Sequence, residues 1–110
     1  MSKMRARAAG LQPERALELA DRERRARSEL KARIADGQLS AAEVILTCPA
    51  EIARMPIVEL LASQRGWGDV RSRAFLAQVS LREDQSIGSL SERQRRTVVS
   101  VLARELLAPR

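Results

Sequence analysis

Two closely spaced glycines between apolar helical patterns constrain this fold more than any other feature of the chain. Residues 60–76 read as a helix, a tight turn containing Gly66 and Gly68, and a second helix. Because glycine lacks Cβ, it adopts positive φ and lets another backbone approach closely. A turn at a helix start also leaves backbone N–H groups free at the positive end of the helix dipole, where an anion can bind. The segment therefore predicts two helices whose turn is either a structural connection alone or a phosphate-binding site.

Charged and aromatic residues surround this turn. Arg65, Arg71 and Arg73 flank it, which is typical of a helix-hairpin-helix element that holds a nucleic-acid backbone. Trp67 has two interpretations, partial burial over the turn or a ring that stacks on a sugar or wedges into a groove. Asp69 is predicted to cap the second helix, although its charge opposes a close phosphate.

The fold class follows from the apolar residues. Hydrophobic residues make up 45% of the 110 residues but aromatic residues only 2%, so the core is predicted to consist of Leu, Val, Ile and Ala side chains. Apolar positions recur at helical spacing and nowhere alternate as in strands. We predict one all-α domain of four or five helices with short loops.

The chain divides into three parts. Residues 1–11 are predicted to form a basic flexible tail, residues 12–36 a long basic helix, and residues 37–110 a helical domain with the glycine turn at 65–69. Pro13 and Gly37 suit the two ends of the long helix. Its apolar stripe fails across residues 21–25, so we expect its C-terminal half to dock and its N-terminal half to project into solvent.

Local signals place the remaining elements. Two capping boxes, Ser40 with Glu43 and Ser91 with Gln94, each open a helix. A core-facing helix is predicted to be broken or restarted at Pro56, and Cys48 is predicted to be a small core residue. After the turn, the predicted apolar positions are Val70, Ala74, Leu76, Ala77 and Val79, and after a loop over 82–91 they are Val98, Val101, Leu102 and Leu106.

Net charge indicates the partner. The chain carries 20 Lys and Arg against 14 Asp and Glu, a net +6, and all but two of the basic residues are Arg. Arg binds phosphate through planar, bidentate contacts, so a phosphate-rich partner is predicted. Arg24, Arg27 and Lys31 share one face of the long helix, which is either a DNA contact or a solvated face paired with Glu23 and Glu29. The long helix and the glycine turn are thus predicted to be two separated contact surfaces.

Several classes are excluded. The chain has one Cys and no His, so we expect no disulfide, no zinc site and no cofactor. No residue pair suggests activated nucleophilic catalysis, and an enzyme is not predicted. No apolar run is long enough for a signal peptide or a membrane span, and a free thiol suits a reducing cytoplasm.

The order of these motifs resembles the actinobacterial integration host factor family of mycobacteria and streptomycetes. The likeness runs from about Arg24 to Leu102. It is carried by residues 29–34, Ser40 with residues 43–45, Met55 with residues 58–61, the Gly66-x-Gly68-x-Val70-Arg71 pattern, and Leu90 with Gln94.

The resemblance implies a long helix attached to a helix–two-turns–helix domain like that of a small-subunit ribosomal protein. It implies sequence-tolerant binding and bending of double-stranded DNA, in nucleoid organisation and in phage integration with the recombination machinery. Gly66 and Gly68 are expected against a phosphate, Arg71 beside it, and Lys31 and Arg33 near the backbone. We expect a cytoplasmic, nucleoid-located protein that is monomeric off DNA.

Two departures mark a divergent member. The family turn reads Pro-Gly-Val-Gly-Lys, whereas this chain has Arg65, Trp67 and Asp69 around its glycines. An arginine-rich run before Leu90 is replaced by uncharged Gln85, Ser86 and Gly88. Arg93, Arg95 and Arg96 on the last helix either compensate for that run or are simply exposed.

Two alternatives stay open. One is an RNA-binding or ribosome-associated module, although few aromatic residues exist to form stacking platforms. The other is a protein–protein adaptor that docks through the long helix.

Overall fold

Helices form the framework of the chain. The computed structural model describes residues 12–107, and within them the helices are α1 (Pro13–Ala35), α2 (Ala41–Thr47), α3 (Ile57–Ala62), α4 (Asp69–Gln78) and α5 (Glu92–Leu107), with 3-10 turns at Ala50–Ile52 and Ile87–Ser89. No β-strand occurs in this part of the chain, and its isolated bridge joins Pro56 and Ser86. The predicted all-α class is confirmed. The basic tail predicted over residues 1–11 lies outside the described residues.

The long helix α1 begins at Pro13, whose missing N–H is no loss in a first turn. It ends before Gly37, which has a φ of +79°. Only Leu30 and Ile34 are buried along α1, whereas Leu17 is 67% exposed. The C-terminal half therefore packs onto the rest of the described chain, and the N-terminal half presents most of its surface to solvent.

Aliphatic side chains from every helix fill the core, together with the two aromatic residues. Trp67 and Phe75 are both buried, with ring centroids 5.5 Å apart at an interplanar angle of 66°. This edge-to-face packing is favourable beyond the area buried. The expectation of a core without aromatic rings is therefore wrong.

The capping signals differ in how completely they form. Ser91 and Gln94 make a full capping box, since Gln94 N–H donates to Ser91 Oγ at 3.1 Å and Ser91 N–H donates to Gln94 Oε1 at 2.9 Å. At α2, Glu43 N–H donates to Ser40 Oγ at 3.1 Å, without a return bond from the Glu43 side chain. Cys48 is half-buried and ends α2 with a left-handed φ of 42°, rather than lying in the core interior as predicted.

The segment around Gly88 packs against the residues that precede and begin α3. Ile57 N–H donates to Gln85 O at 2.8 Å, and Gly88 N–H donates to Ala53 O at 2.8 Å. A Cβ on Gly88 would lie 3.0 Å from Ala53 Cβ. These backbone contacts give the segment a structural role.

Helix α4 is rotated relative to the sequence prediction. Its buried residues are Ser72, Phe75 and Leu76, while Val70 is 82% exposed. Ala74 and Ala77 are also exposed, so of the predicted apolar face only Leu76 is buried and Val79 half-buried. The insertion of the Phe75 ring beside Trp67 accounts for this rotation, because an aromatic side chain buries more area than an alanine.

Candidate nucleic-acid interface

The glycine turn exposes the backbone where α4 begins. Gly66 has a φ of +80°, a conformation that L side chains rarely adopt. Gly68 is the N-cap of α4 in an extended conformation, and a Cβ built on it would meet no atom of the described residues within 4 Å. Both glycines are exposed. The turn therefore leaves open space in front of the first residues of α4.

Free backbone donors face this space. Among the described residues, the N–H groups of Asp69, Val70 and Arg71 have no acceptor, and the helical ladder starts with Ser72 N–H donating to Gly68 O at 3.1 Å. Within residues 12–107 no side chain caps α4, and its N-cap is Gly68, so the predicted capping by Asp69 is wrong. Asp69 is the first helical residue instead. These donors, at the positive end of the α4 dipole, can bind an anion.

Trp67 lies beneath the turn rather than outside it. Its side chain is only 4% exposed. Of the two interpretations of Trp67, the burial agrees with the first, and the stacking or wedging role on DNA is wrong, because the ring packs against Phe75 and is almost fully covered. The accessible side of the indole carries Arg71, whose guanidinium carbon lies 4.2 Å from the ring centroid.

The arginines around the turn differ in their pairing. Arg71 Nη2 lies 4.0 Å from Glu105 Oε1 of α5, and Arg73 Nε lies 2.8 Å from Glu83 Oε1. Arg65 is exposed and forms no ion pair within residues 12–107. It lines a cleft of about 230 Å³ together with Ile34 and Trp67. Arg65 is therefore the turn arginine most available to an external anion.

The long helix and the glycine turn share one surface. Lys31 of α1 lines a groove of about 390 Å³ together with Glu59 and Ser63 at α3 and Asp69 of α4. Lys31 Nζ lies 3.8 Å from Glu59 Oε1. The expectation of two separated contact surfaces is wrong at this point, since Lys31 stands beside the start of α4.

The other cations of α1 are arranged differently from the prediction. Arg24 pairs with Asp21, while Glu23, one of its predicted partners, pairs with Arg54 at 3.8 Å. Arg27 is half-buried, and its Nε has no hydrogen-bond partner within the described structure. Arg33 is exposed and, at about 100° per residue, lies some 200° around the helix from Lys31. Lys31 and Arg33 thus face different sides of α1.

The three arginines of α5 have separate roles. Arg95 donates from Nη1 to Ile45 O, and from Nη2 to Leu90 O at 3.1 Å and Ile87 O at 3.3 Å. The prediction of Arg95 as a DNA contact is wrong, because its guanidinium is occupied by three carbonyls that join α2, the Ile87–Ser89 turn and α5. Arg96 is exposed beside Glu92 at 3.6 Å, and Arg93 is exposed.

The sequence analysis missed two acids at this surface. Glu59 and Glu105 lie beside Lys31 and Arg71, although each is distant along the chain from its partner. Glu59 lies within the resemblance at residues 58–61 and Glu105 lies outside it, but no sequence signal pairs either acid with its cation. Both lower the positive charge that the interface presents.

Two further observations concern membrane and metal chemistry. No helix between residues 13 and 107 is long and apolar enough to cross a membrane. Within the same described range, no three acidic or Cys side chains gather in a group that could hold a metal ion.

The fold and the site define a class: small all-α proteins in which a long helix lies beside a glycine turn at a helix start. A solved structure described as "Structure of sIHF bound to an 8bp palindromic DNA" has a similar fold, with a TM-score of 0.69 and 30% sequence identity. The match covers 80% of this chain and 97% of that chain. The chain belongs to the integration host factor family that sIHF represents. No protein-family profile matches the chain, and no curated protein matches it.

Proposed function

We propose that this protein is a non-enzymatic binder of double-stranded DNA that contacts the phosphate backbone. The observation that carries the proposal is the cluster of free N–H groups at the start of α4, with Arg71 and Lys31 beside it. Kinship with sIHF, whose solved structure contains an 8-bp DNA, supports the same partner. Backbone donors and guanidinium groups read phosphates rather than base edges, so binding is expected to tolerate any sequence.

The proposed contact residues differ in how free their donor groups are to bind a phosphate. Gly66, Gly68 and Arg65 are the central contacts of the proposed interface. Arg71 and Lys31 can also bind a phosphate, once the phosphate displaces the acidic side chain that lies beside each of them. The outer contacts are arginines on α1, α4 and α5, namely Arg24, Arg27, Arg33, Arg73, Arg93 and Arg96. Because Lys31 and Arg33 face different sides of α1, a duplex that contacts both must bend around the helix or be gripped from two directions, and we propose bending.

A cellular role follows from this mode of binding. We propose a nucleoid-associated protein of the cytoplasm, in the actinobacterial branch of the family, that bends DNA for compaction or for the recombination machinery. It acts as a monomer off DNA. The ordered motifs from Arg24 to Leu102 support this branch.

A salt titration tests the proposal. Binding to a short duplex of arbitrary sequence is followed by fluorescence anisotropy, with double-stranded RNA as competitor. If roughly five of the nine proposed basic side chains contact phosphates at once, the slope of log K against log salt is expected near −4.5. Arg65→Ala should reduce affinity equally on unrelated sequences and flatten the slope by about 0.9. Arg82→Ala is the control, since it removes the same charge from the exposed loop after α4.

Other outcomes would replace the proposal. Preference for the RNA competitor would indicate an RNA-binding module, and absence of salt-dependent binding to either nucleic acid would indicate a protein adaptor. Burial of both aromatic rings already argues against a single-strand reader, which needs exposed stacking platforms. Bending is measured separately, by energy transfer between dyes at the two ends of the duplex.

A further inference from the structure

Arg71 is held in place by the aromatic ring below it. Its guanidinium carbon lies 4.2 Å from the centroid of the Trp67 ring, and its side chain is 26% exposed. Trp67 is in turn fixed by its edge-to-face contact with Phe75 and by its 4% exposure. The guanidinium therefore rests on a rigid platform that belongs to the core.

This platform leaves the binding capacity of Arg71 intact. A guanidinium that stacks on a ring uses its flat face, and its N–H donors remain at the edge of the plane. The Glu105 carboxylate approaches one of them at 4.0 Å, which is too long for a hydrogen bond. Arg71 is thus ordered by the ring, weakly attracted by the acid, and one helical position beyond the exposed Val70 at the start of α4.

The ordering of the Arg71 side chain before binding affects the affinity for DNA. A free arginine side chain loses rotamer freedom when it binds, and prior ordering removes part of that loss. The stack also fixes the guanidinium 4.2 Å from the Trp67 centroid, on a residue whose own N–H is one of the free donors of α4.

We propose that Trp67 is a positioning residue that sets Arg71 for a DNA phosphate, and that Glu105 is the counter-ion which the phosphate displaces. The inference rests on the proposed function, since it deepens the role of the same surface. Trp67 itself does not touch DNA. Its contribution passes entirely through Arg71.

A double-mutant cycle tests this dependence. Trp67→Leu keeps apolar bulk but removes the ring, and Trp67→Phe keeps a smaller ring. Ile87→Ala is the matched control, because it removes buried apolar bulk from the core at the Ile87–Ser89 turn and leaves both Trp67 and Phe75 in place. Each variant is combined with Arg71→Ala. Circular dichroism and thermal melting set a temperature at which all of them are folded, and affinity for one duplex is then measured as a function of salt.

The expected pattern is specific to positioning. Trp67→Leu should weaken binding about three- to tenfold, and Trp67→Phe should recover part of the loss. The salt slope should stay at its wild-type value in Trp67→Leu, whereas Arg71→Ala should flatten it by about 0.9. In the Arg71→Ala background, Trp67→Leu should have no further effect.

Two results would overturn the inference while leaving DNA binding in place. One is an equal loss from Trp67→Leu with and without Arg71, and the other is an equal loss from Trp67→Leu and Ile87→Ala. If the wild-type chain does not bind duplex DNA at low salt, the proposed function and this inference both fail.

Discussion

The ammonium nitrogen of Lys31 lies 3.8 Å from Oε1 of Glu59, and this pair joins the long helix to α3 at the groove that Asp69 also lines. Both side chains are about one-third exposed, so solvent screens the attraction. The second carboxylate oxygen of Glu59 is buried and has no hydrogen-bond partner within the described structure. The pair therefore places an acid against the very cation that the proposed interface needs.

Glu59→Gln should strengthen DNA binding. Removing the carboxylate frees Lys31 for a phosphate and removes a like charge from its path, so we expect affinity to rise about two- to fivefold at low salt. Anisotropy titrations check this. Glu51→Gln is the matched control, because Glu51 is an exposed acid on the 3-10 turn before α3. An equal rise in both variants would show that only net charge matters.

Asp69→Asn should separate binding from stability. The Asp69 carboxylate in the first turn of α4 interacts favourably with the helix dipole, so its loss should lower the free energy of unfolding by about 0.5 kcal/mol. The same change removes a negative charge beside the free N–H groups, and DNA affinity should increase. Urea denaturation and anisotropy measure the two effects. A fall in affinity would mean that Asp69 does not face the phosphate.

Arg95→Ala should destabilise the fold. Three carbonyls, those of Ile45, Ile87 and Leu90, lose their donor, and we expect a loss of about 2 kcal/mol in the free energy of unfolding. Arg96→Ala should change it by no more than about 0.5 kcal/mol, because Arg96 has only an exposed pairing with Glu92. Similar urea midpoints for the two variants would contradict the structural role of Arg95.

The glycines Gly88 and Gly68 should respond in opposite ways to alanine. A Cβ on Gly88 would lie 3.0 Å from both Cβ and O of Ala53, so Gly88→Ala should cost about 1–3 kcal/mol of stability. Gly68→Ala meets no atom within 4 Å and should cost less than about 1 kcal/mol, mainly as a poorer N-cap. Its methyl group would instead stand before the α4 donors and weaken DNA binding. Denaturation and anisotropy on both variants check the contrast, and a large stability loss from Gly68→Ala would contradict it.

The packing of the segment around Gly88 gives its glycine a structural reason. Gln85 O, Ile87 N–H and Gly88 N–H are hydrogen-bonded to the backbone of residues 53–57, and Gly88 leaves no room for a side chain. Only the packing against Ala53 shows why Gly88 cannot carry a larger residue.

The sequence by itself predicted the features that depend on residues close together in the chain. Four such features are the all-α class, the helix start after Pro56, the positive φ of Gly66 and the Ser91–Gln94 box. Each depends on residues within about four positions of one another. Only the tertiary structure determined four other features. These are the rotation of α4, the burial of Trp67, the hydrogen bonds from Arg95 to three carbonyls, and the ion pair of Lys31 with Glu59. Each of these features depends on which surfaces pack together, because burial and ion pairing involve residues far apart in the chain. The spacing of residues along the sequence does not indicate which distant residues come into contact.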